Sequence, residues 1–163
     1  MTKKIILPLL ATVLFIVAVG LFVQKTQQAD FTKPTPQGKP TVSINGIDIF
    51  VTTAKTRVER EKGLSGVSEL ETNTGMLFVF DDKTKPQVFW MKDTVISLDL
   101  IWIEGGKIIK IDKNLPTPSP GTPDSKLPVY TAGRPVDYVL EVEGGFSDTN
   151  SFKIGDQVSI SGI

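Results

Sequence analysis

Residues 42–51 read VSINGIDIFV. Val42 and Ile44 flank Ser43, and after Asn45-Gly46 the apolar residues Ile47, Ile49 and Val51 recur at every second position. Such a period turns one face of an extended chain toward a core. Asn-Gly accepts the two successive positive φ angles that a two-residue hairpin loop demands. The stretch therefore predicts a β-hairpin, and it sets the reading of everything downstream.

The same kind of signal recurs after it. Met76–Phe80 (MLFVF), Gln87–Thr94 (QVFWMKDT) and Val136–Val142 read as strands. Leu98–Ile103 and Lys107–Ile111 read as a second hairpin across Glu104-Gly105-Gly106, and Gln157–Ile160 as a last strand entered through a Gly155-Asp156 turn. There is one helical signal. Thr56-x-x-Glu59 is a capping box and Gly63 a stop, which predicts a short helix over about residues 57–62. Short strands with frequent turns and one short helix predict a mainly β fold, a small sandwich or barrel-like domain over residues 41–163. Leu115–Pro128, LPTPSPGTPDSKLP, holds five prolines and cannot be a central strand. It is expected to be an extended surface excursion, with a binding role as the alternative.

Upstream the character changes. Residues 24–40, QKTQQADFTKPTPQGKP, are polar and Pro-rich, the composition of a semi-rigid linker. Residues 5–23, IILPLLATVLFIVAVGLFV, carry no charge, and nineteen residues suffice to cross a hydrocarbon core of about 30 Å as one helix. Lys3 and Lys4 lie in the short segment before it, so residues 1–4 are expected to be a cytoplasmic stub. Residues 41–163 are then extracytoplasmic, and residues 5–23 make the membrane itself a partner. The alternative is a signal peptide cleaved near Ala18-Val19-Gly20, which would leave the protein secreted.

Composition removes several functions. The 163 residues include 18 basic and 18 acidic ones. Setting aside Lys3 and Lys4 leaves 16 basic residues against 18 acidic, which offers no electrostatic footprint for nucleic acid. The chain has no Cys and no His. That excludes thiol nucleophiles, disulfides, a lipid-modified Cys anchor, His-based triads and the usual zinc sites. No cofactor is expected. Asp81-Asp82, Asp112-x-Asn114 and Asp148-x-Asn150 offer oxygens, but none has the EF-hand pattern and each reads as turn chemistry, so no metal is expected. Ser65 and Ser68 lack a His to activate them.

The chemistry left to the chain concentrates at residues 89–99. On a continuous strand Phe89, Met91 and Asp93 would share one face and Trp90, Lys92 and Thr94 the other. With the first set inward, Trp90 and Lys92 form an outward platform for a sugar ring or a peptide. In the competing reading Trp90 is a half-buried aromatic under a snorkelling Lys92. Asp93 and Asp99 are candidates for an acid–base pair acting on polysaccharide. Their structural alternatives are a turn cap at Val95–Ser97 for Asp93 and an ion pair with a cation such as Arg60 for Asp99. Arg60, at the end of the predicted helix, suits the helix dipole or an anion. Arg134 and Glu141 read first as salt-bridge partners.

Several of these residues recur in one ordered set. Arg60-x-x-Gly63-Leu64, Gly75-Met76-Leu77-Phe78-Val79-Phe80, Phe89-Trp90-Met91-Lys92-Asp93-Thr94, Leu98-Asp99, Tyr138-Val139-Leu140-Glu141 and Gly155-Asp156-x-Val158 follow one another along the chain. Together they resemble the domain of unknown function 192 family over roughly residues 42–162. The resemblance implies a compact, mainly β sandwich-type fold with a short helix, and no known activity. It departs from the family at Asp93, where Asn is usual, and at Ser65, where Met is usual. The functional expectation is a non-enzymatic binding or accessory module of the cell envelope, with a glycan, peptide or protein as partner. The alternatives are a carboxylate-based hydrolase or lyase on envelope polysaccharide, and an assembly partner of another membrane protein.

Overall fold

The computed structural model describes residues 38–163. The expected stub, the expected anchor and most of the expected linker lie outside the described residues. Among the described residues no helix is long and apolar enough to cross a membrane.

The opening hairpin is β1 (Thr41–Ile44) and β2 (Ile47–Ala54), paired antiparallel with Ile44 opposite Ile47. Asn45 and Gly46 have φ of 51° and 80°, the double left-handed turn that Asn-Gly favours. Helix α1 (Arg57–Lys62) follows, bounded by its capping box. Thr56 Oγ1 accepts from Glu59 N–H at 3.2 Å and Glu59 Oε2 accepts from Thr56 N–H at 2.8 Å. Six residues are too few to be stable alone, so the cap and the packing of its neighbours hold α1. The chain returns as β3 (Thr74–Val79), parallel to β2.

The remaining strands are β4 (Phe89–Trp90), β5 (Leu98–Glu104), β6 (Lys107–Leu115), β7 (Val129–Tyr130), β8 (Tyr138–Glu143) and β9 (Val158–Ser161). Seven of the nine form one sheet in the order β6-β5-β8-β3-β2-β1-β9, while β4 and β7 pair as a separate arm. The large sheet curls into a half-barrel, and its two edges meet at one end. Ile108 N–H donates to Asp156 O at 3.0 Å, Gly155 N–H to Ile108 O at 2.8 Å and Val158 N–H to Gly106 O at 2.9 Å. Curling satisfies edge groups that a flat sheet would leave open to other chains.

Both faces of this sheet are apolar. Val42, Ile44, Ile49, Leu77, Ile101, Ile103, Leu140 and Val142 fill the concave side with Phe152. Phe78, Leu98, Leu100, Trp102 and Val139 line the convex side, where Leu64 and Met91 cover them. This explains why LDLIWI shows no alternation: every residue of Leu98–Ile103 is buried, Asp99 included.

Two local expectations are corrected. The strand expected over Gln87–Thr94 shrinks to Phe89–Trp90. Asp93 takes a left-handed φ of 53°, and Thr94 N–H donates to Met91 O at 3.2 Å, so the chain turns where the pattern ran straight. The outward strand face expected for Trp90, Lys92 and Thr94 therefore does not form, and Thr94 is buried. Secondly, the helix at 57–62 is joined by a one-turn helix α2 (Phe146–Thr149) and a 3-10 turn at Asp124–Lys126. The Pro-rich segment is otherwise irregular.

Candidate functional site

Asp99 is wholly buried on β5, and its carboxylate is fully used by the backbone. Oδ1 accepts from Asn114 N–H at 2.8 Å and Gly145 N–H at 3.0 Å, and Oδ2 accepts from Ser147 N–H at 2.8 Å. It ties the end of β6 to the start of α2, whose N-cap is a glycine with no side chain to offer. The expected ion pair with Arg60 is not formed. Arg60 Nη1 donates to the carbonyls of Lys55 and, at 3.1 Å, Val79, and its guanidinium lies 5.3 Å from the Phe80 ring centroid.

Asp93 is exposed, and among the described residues its carboxylate makes no hydrogen bond, so the expected side-chain cap is absent. Only its backbone carbonyl is engaged, by Gly66 N–H at 2.9 Å. The structure does not bring Asp93 and Asp99 into one cleft. Asp93 borders a shallow hollow against Pro118, Pro120 and Leu127, while Asp99 faces the closed interior.

A different carboxyl group lies in a cavity. Next to α1 a cavity of about 300 Å³ opens between Phe78, Phe80, Phe89 and Trp90, with Arg60 also on its wall and Glu141 among the lining residues. Phe89 meets Phe78 edge-on at 4.8 Å and Phe80 at 6.2 Å, so the aromatic wall is interlocked. Trp90 is 45% exposed, and Lys92 Nζ lies 5.5 Å from its ring centroid. Lys92 is also paired with Asp124, which docks the Pro-rich segment beside the Trp90 strand.

Glu141 sits on β8 opposite Met76 of β3 and Leu100 of β5. It is 5% exposed, and Oε2 is sealed from solvent with no hydrogen-bond partner among the described residues. Burial alone pushes this carboxyl up to about 8, so it is protonated at neutral pH. The salt bridge expected for it is not made, whereas Arg134 does pair with Glu104 at 2.8 Å. A signal was present in YVLEVE: an apolar run without alternation marks a strand covered on both faces, and a Glu centred in it is then buried. Gly75 lets β3 and β8 approach here, since a Cβ on it would stand 2.3 Å from Glu141 O.

A wider hollow of about 670 Å³ lies by Phe50, Leu70 and Met76, but no buried unpartnered polar atom marks it. The acidic turns have other partners. Asp82 accepts from Thr84 N–H at 2.9 Å, Asp112 from Trp102 Nε1–H at 2.8 Å, and Asp148 pairs with Lys113. Among the described residues no three acidic side chains gather as metal ligands.

Comparison with known proteins agrees with this architecture. The DUF192 family, described as "Uncharacterized ACR", matches residues 40–160. No curated protein matches the chain. A protein of unknown function from Novosphingobium aromaticivorans DSM 12444 is similar in structure with a TM-score of 0.65 at 28% identity, over 73% of this chain and 83% of that one. A protein from Sinorhizobium meliloti 1021, described as a "putative transcription regulator", has a TM-score of 0.66 at 28% identity, over 77% of this chain and 95% of that one. The family match spans most of the 163 residues, from the strand that opens the half-barrel to the one that closes it, and the chain belongs to the DUF192 family.

Proposed function

We propose that this protein is a non-enzymatic binding module, held at the outer face of a membrane by residues 5–23, whose Trp90 pocket receives a ligand of the cell envelope. One observation carries this reading: an exposed tryptophan opens onto a cavity lined by a buried carboxyl that no protein group satisfies. Burying a polar group without a partner costs stability, and a ligand that completes it recovers that cost on binding. The hydrolase alternative has less support, because Asp99 is occupied by three backbone donors and Asp93 stands apart.

An assembly role is favoured by a different feature. Val88, Trp90 and Val129 are exposed at 62%, 45% and 63%, and Trp90 pairs with Val129 across the β4–β7 arm. Regulation through nucleic acid, as the description of the Sinorhizobium protein would imply, has less support in a domain with slightly more acidic than basic residues.

The chain's two tryptophans supply the test. The exposed Trp90 indole reports on the pocket, and the Trp102 indole, donating to Asp112 at 2.8 Å, reports on the core. In ¹H–¹⁵N spectra of the full chain in nanodiscs, glycan fragments or short peptides are expected to shift the Trp90 indole resonance and leave that of Trp102 in place. If no ligand of any class moves Trp90, the binding reading is wrong.

A further inference from the structure

We infer that this pocket recognises an N-acetylated sugar that carries a carboxylate, with the ring against Trp90, the acetamide carbonyl at Glu141 and the carboxylate toward Arg60 and Lys62. The inference rests on the binding reading above and names its ligand.

The Glu141 end of the pocket asks for a hydrogen-bond acceptor. Glu141 Oε2 has no partner, and burial keeps the group protonated. A neutral carboxyl donates one O–H and still accepts, which matches the C=O and N–H of an acetamide. The acetamide methyl then meets the edges of Phe78 and Phe89, which already pack against each other at 4.8 Å.

The side walls select a flat, partly apolar body. Lys92 covers one face of Trp90, which leaves the other for the C–H face of a pyranose. A cavity of about 300 Å³ takes one ring with its substituents. An extended peptide would instead add to a free sheet edge, whereas these walls are side-chain surfaces.

The rim selects charge. Arg57, Arg60, Lys62 and Lys92 line the pocket against Glu61 and the buried Glu141. Arg57 is tied to Glu61 at 2.6 Å and Lys92 to Asp124. Among the described residues Arg60 and Lys62 have no carboxylate partner, so they are the two cations left for an anion. A cationic ligand would meet this rim first and be repelled.

Four monosaccharides separate these terms, titrated against the full chain in nanodiscs with the Trp90 indole resonance as readout. N-acetylmuramic acid carries both the acetamide and the carboxylate, N-acetylglucosamine only the first, glucuronate only the second, and glucosamine is a cation with neither. N-acetylmuramic acid is expected to bind at least fivefold tighter than either single-feature sugar, with glucosamine weakest. Glu141→Gln keeps a neutral donor and is expected to stay within about threefold of the parent. Glu141→Leu is expected to lower N-acetylmuramic acid to the affinity of glucuronate. The parent's affinity for both acetamido sugars should fall as pH rises through about 8, and that of Glu141→Gln should stay flat. An unshifted Trp102 resonance shows that each variant is folded. Tightest binding of glucosamine, or equal binding of glucuronate and N-acetylmuramic acid, overturns the inference. If no sugar shifts Trp90 but a peptide does, the sugar inference fails while the binding reading stands. If nothing shifts it, both fail.

Discussion

Asp99 and Glu141 are both acids on neighbouring buried strands, and the structure treats them in opposite ways. Asp99 is paid in full by three backbone N–H groups. Removing its carboxylate strands those donors in an apolar interior, where each unsatisfied group costs roughly 1–3 kcal/mol. Asp99→Ala is therefore expected to destabilise the domain by about 3 kcal/mol or more in chemical denaturation, and Asp99→Asn, which keeps one acceptor oxygen, by less. An unchanged midpoint for Asp99→Ala would show that water replaces the carboxylate freely. Glu141 has the reverse problem, and its effect on stability follows from linkage. Its carboxyl ionises near 4.5 in the unfolded chain and at about 8 in the folded one. Between those values the folded state holds a proton that the unfolded state has released. Its contribution is thus complete below pH 4.5, falls as pH rises through the window and levels off above about 8, with a slope of at most ~1.4 kcal/mol per pH unit. Glu59, Asp82 and Asp137 have depressed values and act with the opposite sign at lower pH, outside this window. Melting temperatures of the parent should fall from pH 5 to 8, and Glu141→Gln should flatten that decline; parallel curves for the two proteins would mean that Glu141 is not the group responsible.

At the scale of elements, what could be read from sequence was what local chemistry decides. Asn45-Gly46, Glu104-Gly105-Gly106 and the Thr56–Glu59 capping box each carry their own turn or cap, and β1–β2, β5–β6 and α1 stand where those signals put them. The misses have non-local or single-residue causes. Helix α2 has no cap of its own, because the acceptor comes from Asp99, 48 residues before Ser147. The strand expected over Gln87–Thr94 is cut short by the left-handed Asp93, which alternation cannot foresee. That conformation also accounts for the residue type at position 93. Asn and Asp are the non-glycine residues that enter the left-handed region most readily, so Asp at this position meets a backbone requirement that Asn would meet as well. Asp93→Asn is accordingly expected to change stability by less than about 0.5 kcal/mol, and the β-branched Asp93→Val to cost about 1–2 kcal/mol. Equal stabilities would show that the turn relaxes out of the left-handed region. Gly75 supplies a second test at the β3–β8 contact. An added methyl there would collide with Glu141 O, so Gly75→Ala is expected to destabilise by about 1–3 kcal/mol and to displace the Trp90 indole resonance through the shifted pocket wall.

Across the whole molecule the curl of the sheet explains why the pocket lies where it does. The concave side is filled by its own side chains, and the sheet closes through Gly106–Ile108 against Gly155–Val158. The pocket lies on the convex side, where the β4–β7 arm and the residues around α1 cover the apolar surface and leave a gap above Glu141. That gap was not readable in advance: it depends on strands far apart in sequence bringing Phe78, Phe89 and Glu141 together, and Glu141 drew an ion-pair expectation because a lone acid usually has one. For such a pocket to serve an envelope ligand, the domain must sit outside the membrane, and the flanking positive charges are Lys3 and Lys4 before residues 5–23 and Lys25 and Lys33 after them. The proposed orientation, with the N-terminus in the cytoplasm, rests on Lys3 and Lys4 in the short N-terminal segment and on the positive-inside bias. Three outcomes are expected of the native chain. It should remain with membranes through an alkaline wash. Protease added to the outer face should cut in residues 24–40 and release a fragment close to residues 41–163. Lys3→Glu combined with Lys4→Glu should weaken that orientation and protect part of the population. A soluble native chain beginning near Leu21 would instead assign residues 1–20 to a cleaved signal peptide and leave the pocket on a secreted protein.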